Sequence, residues 1–318
     1  MSLHEIINFI NSVDKFAITF HVSPDGDATG SALSLLQGLR KYGKEAYIIS
    51  KDIPGSNLSF LPYIEEITGE NIKPTEGTDC VIVLDCGNYE RIAGDIEDFK
   101  GKVINIDHHL SNDKYGDINY VDTMAAGTCE IIYELLNLMN IDIDKNIART
   151  LYTGIVTDTG SFRYSNTTDK THKMAADLLD KDIVHDSIHR ELFDNKSFNK
   201  LKFTGVVLEN MELVCNDKIV IMTITIDMLK ALDMEKEDTG DIVSFGNKVE
   251  GVEGCILLKE SLDGVKVSFR SKDTLDVRKI AESFGGGGHT KAAGALIKGV
   301  TVEKAREIII KELEKELV

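Results

Sequence analysis

The sequence predicts an α/β protein: a mainly parallel β-sheet flanked by helices, followed by a second, smaller α/β domain across a cleft. Three observations carry this expectation. Apolar β-type runs alternate with amphipathic stretches through the first half, the pattern of a parallel sheet covered by crossover helices. From about residue 212 the pattern changes to short alternating strands broken by Asn-Asp and Asp-Gly turn signals. The length, 318 residues, is enough for two cores of ordinary size.

Taken in order, the first half reads as strand 16–20, helix about 28–42, strands 45–50, 80–85 and 102–107, then helices about 127–140 and 145–157. Runs such as Val81–Leu84 and Val103–Ile106 are nearly continuous in apolar residues, as strands buried on both faces are. Residues 169–209 read as helical and charged, with no strand. The second part reads as strands Leu213–Val214, Ile219–Ile226, Cys255–Lys259 and Val265–Phe269, closed by helices at about 275–283 and 301–317. The expected division is a first domain over 1–185, a helical linker over 186–205 and a second domain over 206–318. A hinge in that linker would let two halves close and exclude water.

With 42% hydrophobic residues, 28% charged and four prolines, the composition is that of an ordinary globular protein. No stretch approaches the roughly 18 uncharged apolar residues that a membrane span needs. Met1–Ile10 carries His4 and Glu5 where a signal peptide would be basic and then apolar. These features predict a cytoplasmic protein without a membrane partner. Cys80, Cys86, Cys129, Cys215 and Cys255 are odd in number and show no C-x-x-C spacing, against both a disulfide framework and a structural zinc site. Cys86, although it adjoins Asp85, reads as a small packing residue.

The formal net charge of −17 bears on partners, because proteins that grip long nucleic acid present Lys and Arg surfaces to many phosphates. No basic run of five occurs here. Long duplex nucleic acid is therefore not expected, and any phosphate substrate should be short, its charge met locally by metal ions and a few arginines.

Ligand-type side chains end several of the expected strands. The first strand runs into His21-Val22-Ser23-Pro24-Asp25-Gly26-Asp27, the third into Asp85, and the fourth into Asp107-His108-His109. In an open parallel sheet such ends lie along one edge, where α/β proteins place ligands. Pro24 and Gly26 permit a turn that aims Asp25 and Asp27 the same way. An EF-hand counted from Asp25 fails, since Leu36 stands where a bidentate Glu is required. A further acid, Asp158, ends a helix in Thr157-Asp158-Thr159-Gly160, beside a glycine that permits close approach. Taken singly, each of these residues could be a helix cap, a turn aspartate or a core histidine; four such sites on one edge point to a metal cluster. Mixed imidazole and carboxylate donors suit Mn²⁺ or a similar divalent ion better than structural zinc. Two ions could be served if one carboxylate bridges.

At this point the residues resemble a known family, the DHH phosphoesterases. His21-x-x-x-Asp25-x-Asp27, Asp85, Asp107-His108-His109 and Asp158 look like its four successive motifs, in order. Gly285-Gly286-Gly287-Gly288-His289-Thr290-Lys291-Ala292-Ala293-Gly294 looks like the signature of its associated DHHA1 domain. The resemblance covers essentially the whole chain. It implies a DHH catalytic domain and a DHHA1 substrate-binding domain, and its compact two-domain bacterial branch implies hydrolysis of short oligoribonucleotides (nanoRNA) and of 3′-phosphoadenosine 5′-phosphate (pAp). It further implies two Mn²⁺ per active site, with Mg²⁺ or Co²⁺ as substitutes. His21, Asp25 and Asp85 would hold one ion, and Asp27, Asp85, His108 and Asp158 the other. Asp107 would orient an imidazole, and His109 would stabilise the phosphate or protonate the departing oxygen. Which of His108 and His109 binds metal stays open at this stage.

In the second domain, the amides of Gly286, Gly287 and Gly288 are expected to form an anion-binding nest, with His289 on the same group. Arg270, at a strand end, is the expected bidentate partner of a phosphate. Arg91 and Arg163 follow acidic motifs and are weaker candidates for the scissile phosphate. The remaining histidines, His4, His172, His185 and His189, read as solvated surface. Alternatives within the same chemistry are an inorganic pyrophosphatase and a cyclic or linear dinucleotide phosphodiesterase. A nucleotide-binding regulator with a vestigial site is disfavoured by the full ligand set, and a homodimer is left open.

Overall fold

The computed structural model describes residues 2–235 and 239–317. The chain divides into two compact units, the first ending at Asn195 and the second beginning at Lys196.

In the first unit, helix α1 (Leu3–Ser12) starts at Ser2, where a capping box with Glu5 satisfies two orphan amides. It is followed by β1 (Lys15–Thr19), α2 (Gly26–Lys41), β2 (Glu45–Ile48), β3 (Cys80–Leu84), β4 (Lys102–Asp107) and β5 (Ile118–Val121). Then come α3 (Thr128–Leu138), α4 (Lys145–Asp158), α5 (Asp169–Leu179) and α6 (His185–His189), the last running into a π-helical turn at Arg190–Asp194.

The five strands form a wholly parallel sheet in the order β2-β1-β3-β4-β5. All five residues of β3 are buried, which explains its uninterrupted apolar sequence. Helix α2 is buried over nearly its whole length because small residues let its neighbours close in. A Cβ at Gly30 would lie 2.5 Å from the Thr150 carbonyl of α4. β5 was not expected: its residues are only half-buried, so no apolar run announces it.

The second unit holds α7 (Phe198–Glu209), β6 (Glu212–Val214), β7 (Ile219–Ile224), α8 (Ile226–Ala231), α9 (Val243–Gly246), β8 (Gly254–Ser261) and β9 (Gly264–Ser271). It closes with α10 (Val277–Ser283), β10 (Gly287–His289), β11 (Ala292–Lys298) and α11 (Val302–Glu316). Its sheet is mixed, in the order β10-β11-β9-β8-β7-β6, with only β7 and β8 parallel. One face packs Val265, Val267 and Phe269 against Ile280, Ile309 and Leu313 of α10 and α11. The other buries Met222 and Leu257 with Phe203 of α7.

Candidate metal centre

The parallel sheet brings the C-terminal ends of β1, β3 and β4 to one edge, and α2 and α4 supply further acids there. Asp25 caps α2, its Oδ1 accepting the amides of Asp27 at 3.0 Å and Ala28 at 3.1 Å. Its Oδ2 faces His21 Nε2 at 3.8 Å, and the same nitrogen lies 3.6 Å from Asp85 Oδ2. Asp85 continues the ladder through its amide, donated to Ile106 O, and then adopts φ 52°. That left-handed turn, which Asp tolerates better than most residues, swings its carboxylate into the cluster.

On the other side of Asp85, His108 Nε2 lies 3.6 Å from Asp85 Oδ1 and 3.6 Å from Asp158 Oδ2. Asp27 sits at the N-terminus of α3, where its carboxylate accepts the amides of Thr128 at 2.5 Å and Cys129 at 2.9 Å. The positive end of the helix dipole favours an anion at that position. Three groups of potential ligand atoms result: His21, Asp25 and Asp85; Asp27, His108 and Asp158; and Asp85, His108 and His109.

Asp107 stands apart from these groups. Its Oδ1 accepts the His108 amide at 2.8 Å and lies 2.7 Å from His109 Nδ1, while Oδ2 accepts Asn112 Nδ2 at 2.5 Å. The imidazole it orients is thus that of His109, and His108 turns its Nε2 towards Asp85 and Asp158.

The electrostatics show crowded negative charge. Burial and the nearby Asp85 push Asp27 up to about 7, and burial with the charge of Asp27 pushes Asp158 well above the usual carboxylate range. Burial opposes protonation of His21, but hydrogen bonds to Asp25 and Asp85 outweigh it and raise the ring to about 10. His108 is likewise held up, to about 9, by Asp85 and Asp158 against its burial. Burial would raise Asp25, yet the bond to His21 brings it down to about 2. Acids that resist ionising beside one another call for a cation to replace their protons. The donors are all carboxylate oxygens and imidazole nitrogens, which fits a hard divalent ion.

Several supporting residues were not expected. Thr128 Oγ1 donates to Asp85 Oδ1 at 3.0 Å. Asn166 Nδ2 donates to Ala126 O at 2.7 Å and Asp158 O at 3.2 Å, tying the loop after Asp158 back to the site. Buried Glu130 accepts the Ala126 amide at 3.2 Å and the Thr171 hydroxyl at 3.1 Å. A short polar side chain in a loop has caps and turns as its default use, so only Gly127 before Thr128 hinted at a close approach: a Cβ there would lie 2.9 Å from Asp27 Oδ2.

The other expected residues are placed as follows. Arg91 contributes its carbonyl to the Val22 amide at 2.7 Å, and its side chain is exposed. In the second unit, Arg270 lies on β9 opposite Ala292 of β11, and its Nη1 donates to Phe269 O at 2.8 Å. The glycine run forms a turn and a short strand. The Gly286 amide is committed to Ala281 O at 2.9 Å, at the end of α10, and Gly287–His289 pair with β11 as a short strand. Gly288, at φ 141°, would bring a Cβ within 2.5 Å of Ala292 O, so tight pairing demands glycine there. The His289 side chain lies outside what the structure describes.

Comparison with known proteins agrees with this architecture. Residues 15–155 match the model of the DHH family N-terminal domain, and 216–317 that of the DHHA1 domain. The chain is 35% identical to a bifunctional oligoribonuclease and PAP phosphatase NrnA of Thermus thermophilus, over 94% of this chain and 89% of that protein. It is 33% identical to the Bacillus subtilis protein of the same name, over 92% of each. A crystal structure of an exopolyphosphatase-related protein from Bacteroides fragilis superposes with a TM-score of 0.90 at 28% identity, covering 98% of this chain and 95% of that one. The chain therefore belongs to the DHH family, with a DHHA1 domain following its N-terminal domain.

Proposed function

We propose that this chain is a metal-dependent phosphoesterase that hydrolyses short oligoribonucleotides to mononucleotides and converts pAp to AMP and phosphate. The observation that carries the reading is the adjoining pair of ligand groups, His21-Asp25-Asp85 and Asp27-His108-Asp158, joined through the 3.6 Å approach of His108 to Asp85. Relatives named for both activities support the choice of substrates.

His21, Asp25 and Asp85 would hold one divalent cation, and Asp27, Asp85, His108 and Asp158 a second; Mn²⁺ is the proposed ion, with Mg²⁺ or Co²⁺ as substitutes. Such ions lower the pKa of a bound water and neutralise charge on a phosphate ester. The protein's own part is positional and protic. Asp27 and Asp158 give up the protons that crowding forces on them, and Asp85 serves both groups from a position its backbone turn fixes. Asp107 holds the His109 ring through Nδ1, and its bond raises the ring's proton affinity against the effect of burial. His109 then carries a proton at Nε2 for the departing oxygen. Arg91 and, in the second unit, Arg270, the backbone of Gly286–Gly288 and His289 are proposed substrate contacts. Action in the cytoplasm is in keeping with five unpaired cysteines.

One assay tests the reading: the protein with Mn²⁺ and, separately, pyrophosphate, pAp and a labelled RNA series of two to five nucleotides. Turnover of pAp and the shortest RNAs well above that of pyrophosphate is expected. Rapid pyrophosphate cleavage with inert nucleotides would overturn the substrate assignment.

A further inference from the structure

We propose that Tyr164 is the platform on which a substrate nucleobase stacks. The inference rests on the nucleotide reading above and deepens it by naming what holds the base.

Tyr164 belongs to the loop that directly follows Asp158 at the end of α4, and that loop is built to hold the ring still. Its own amide and that of Arg163 both donate to Thr159 O at 3.0 Å, beside Asp158 in sequence. The Phe162 amide donates to Thr159 Oγ1 at 3.0 Å, and Arg163 Nε to Gly160 O at 2.6 Å. The far end of the loop returns to Asp158 through Asn166. Gly160, Ser161 and Phe162 are consecutive left-handed residues, at φ 54°, 62° and 63°. Two of the three are not glycine, and backbone strain of this kind gathers at ligand sites.

The ring itself rests on Gly160. A Cβ on that glycine would stand 2.5 and 2.7 Å from Cε2 and Cε1, with Cζ between them closer still. An approach along the ring edge would meet the hydroxyl first, so it is a face of the ring that covers the glycine. Tyr164 is nonetheless 57% exposed. The opposite face therefore looks into solvent, on the loop that leaves the helix end presenting Asp158 to the metal cluster. A rigid aromatic face open on one side is what unpaired bases stack against, and it accepts any base because each has a π-face. A platform of this kind suits short oligomers of mixed sequence.

The test compares pAp with ribose 3′,5′-bisphosphate, the same phosphates without a base, in the presence of Mn²⁺. Tyr164→Ala should raise KM for pAp about tenfold, equivalent to about 1.4 kcal/mol and on the scale of one base–aromatic stack. Its kcat for pAp should stay within about twofold, its KM for the base-less compound should not move, and Tyr164→Phe should match the parent. Because the chain has no tryptophan, Tyr164→Trp gives a single indole reporter. AMP should quench it and ribose 5-phosphate should not. Equal KM changes on both compounds, no change on pAp, or an indole indifferent to AMP would each overturn the proposal. A parent protein inactive on both compounds while AMP still quenches the indole would instead count against the phosphoesterase reading and leave the stack standing.

Discussion

Asp107 Oδ1 lies 2.7 Å from Nδ1 of His109 and 2.8 Å from the His108 amide, so one buried carboxylate fixes both the ring of one histidine and the backbone of the other. A carboxylate can only accept, so His109 carries a proton at Nδ1 in this contact, and the raised proton affinity of the ring lets it hold a second at Nε2.

Asp107→Asn should therefore lower kcat by about a hundredfold, the lower end of what a positioned proton donor contributes. Divalent-ion affinity should change little, because Asp107 belongs to none of the ligand groups. Steady-state kinetics with calorimetric titration of Mn²⁺ separates the two quantities. A variant that loses metal in proportion to activity would show that Asp107 acts on the cluster and not through His109.

Asp85 belongs to two of the ligand groups, 3.6 Å from both His21 and His108 and bonded to the Thr128 hydroxyl. Asp85→Ala should abolish turnover of pAp and of short RNA while far-ultraviolet circular dichroism stays that of the parent. Thr128→Val, which removes only the hydroxyl donor, should cost about 1 kcal/mol of stability or metal affinity, the net worth of one hydrogen bond. Retained activity in Asp85→Ala would rule out a bridging role.

How far the sequence reveals this arrangement follows from which side chains have few other uses. Asp85, Asp107 and His108 could be placed together because each ends a buried apolar strand, and parallel strands put those ends on one edge. β5 stayed hidden because Asn119 interrupts a half-buried edge, and β10 and β11 because glycine and alanine give no periodicity to read. Thr128, Asn112 and Asn166 were silent for another reason: their roles depend on which carboxylate tertiary packing brings within reach. The partner of Asp107 was equally invisible, since adjacent histidines share the same sequence neighbourhood and differ only in where the chain turns.

The cluster's titration should make the metal's stabilising effect grow with pH. Asp27 is raised when folded, so its relative contribution is full below 3.8 and lost as the pH climbs through about 7. His21 and His108 follow the same sign at higher pH, from 6.5 through about 10 and about 9. Asp25 runs the other way, present above 3.8 and lost as the pH falls through about 2, outside the working range. The metal-free protein should therefore lose Tm between about pH 6 and about pH 9, while the gain in Tm on adding Mn²⁺ rises, since fewer protons remain to be displaced. Thermal melts with and without Mn²⁺ across that range give the slopes. A metal-induced shift that shrinks towards alkaline pH would contradict the proton inventory.

Two glycines in helices should respond oppositely to alanine. Gly205 lies in α7 with open space where a Cβ would go, so Gly205→Ala should stabilise by about 0.5–1 kcal/mol through the lower entropy of the unfolded chain. Gly154 lies in α4, where a Cβ would overlap Cys129 Sγ and stand 3.0 Å from Asp27 Oδ1. Gly154→Ala should destabilise by about 1–3 kcal/mol, the usual cost of overpacking. It should also weaken metal binding, because the carboxylate that must move is one of the proposed ligands. Urea titration of both variants, with Mn²⁺ affinity measured on each, checks the pair. If Gly154→Ala lost stability but bound metal as the parent does, the crowding would be relieved through Cys129 alone, and Asp27 would be free of the tight packing assigned to it here.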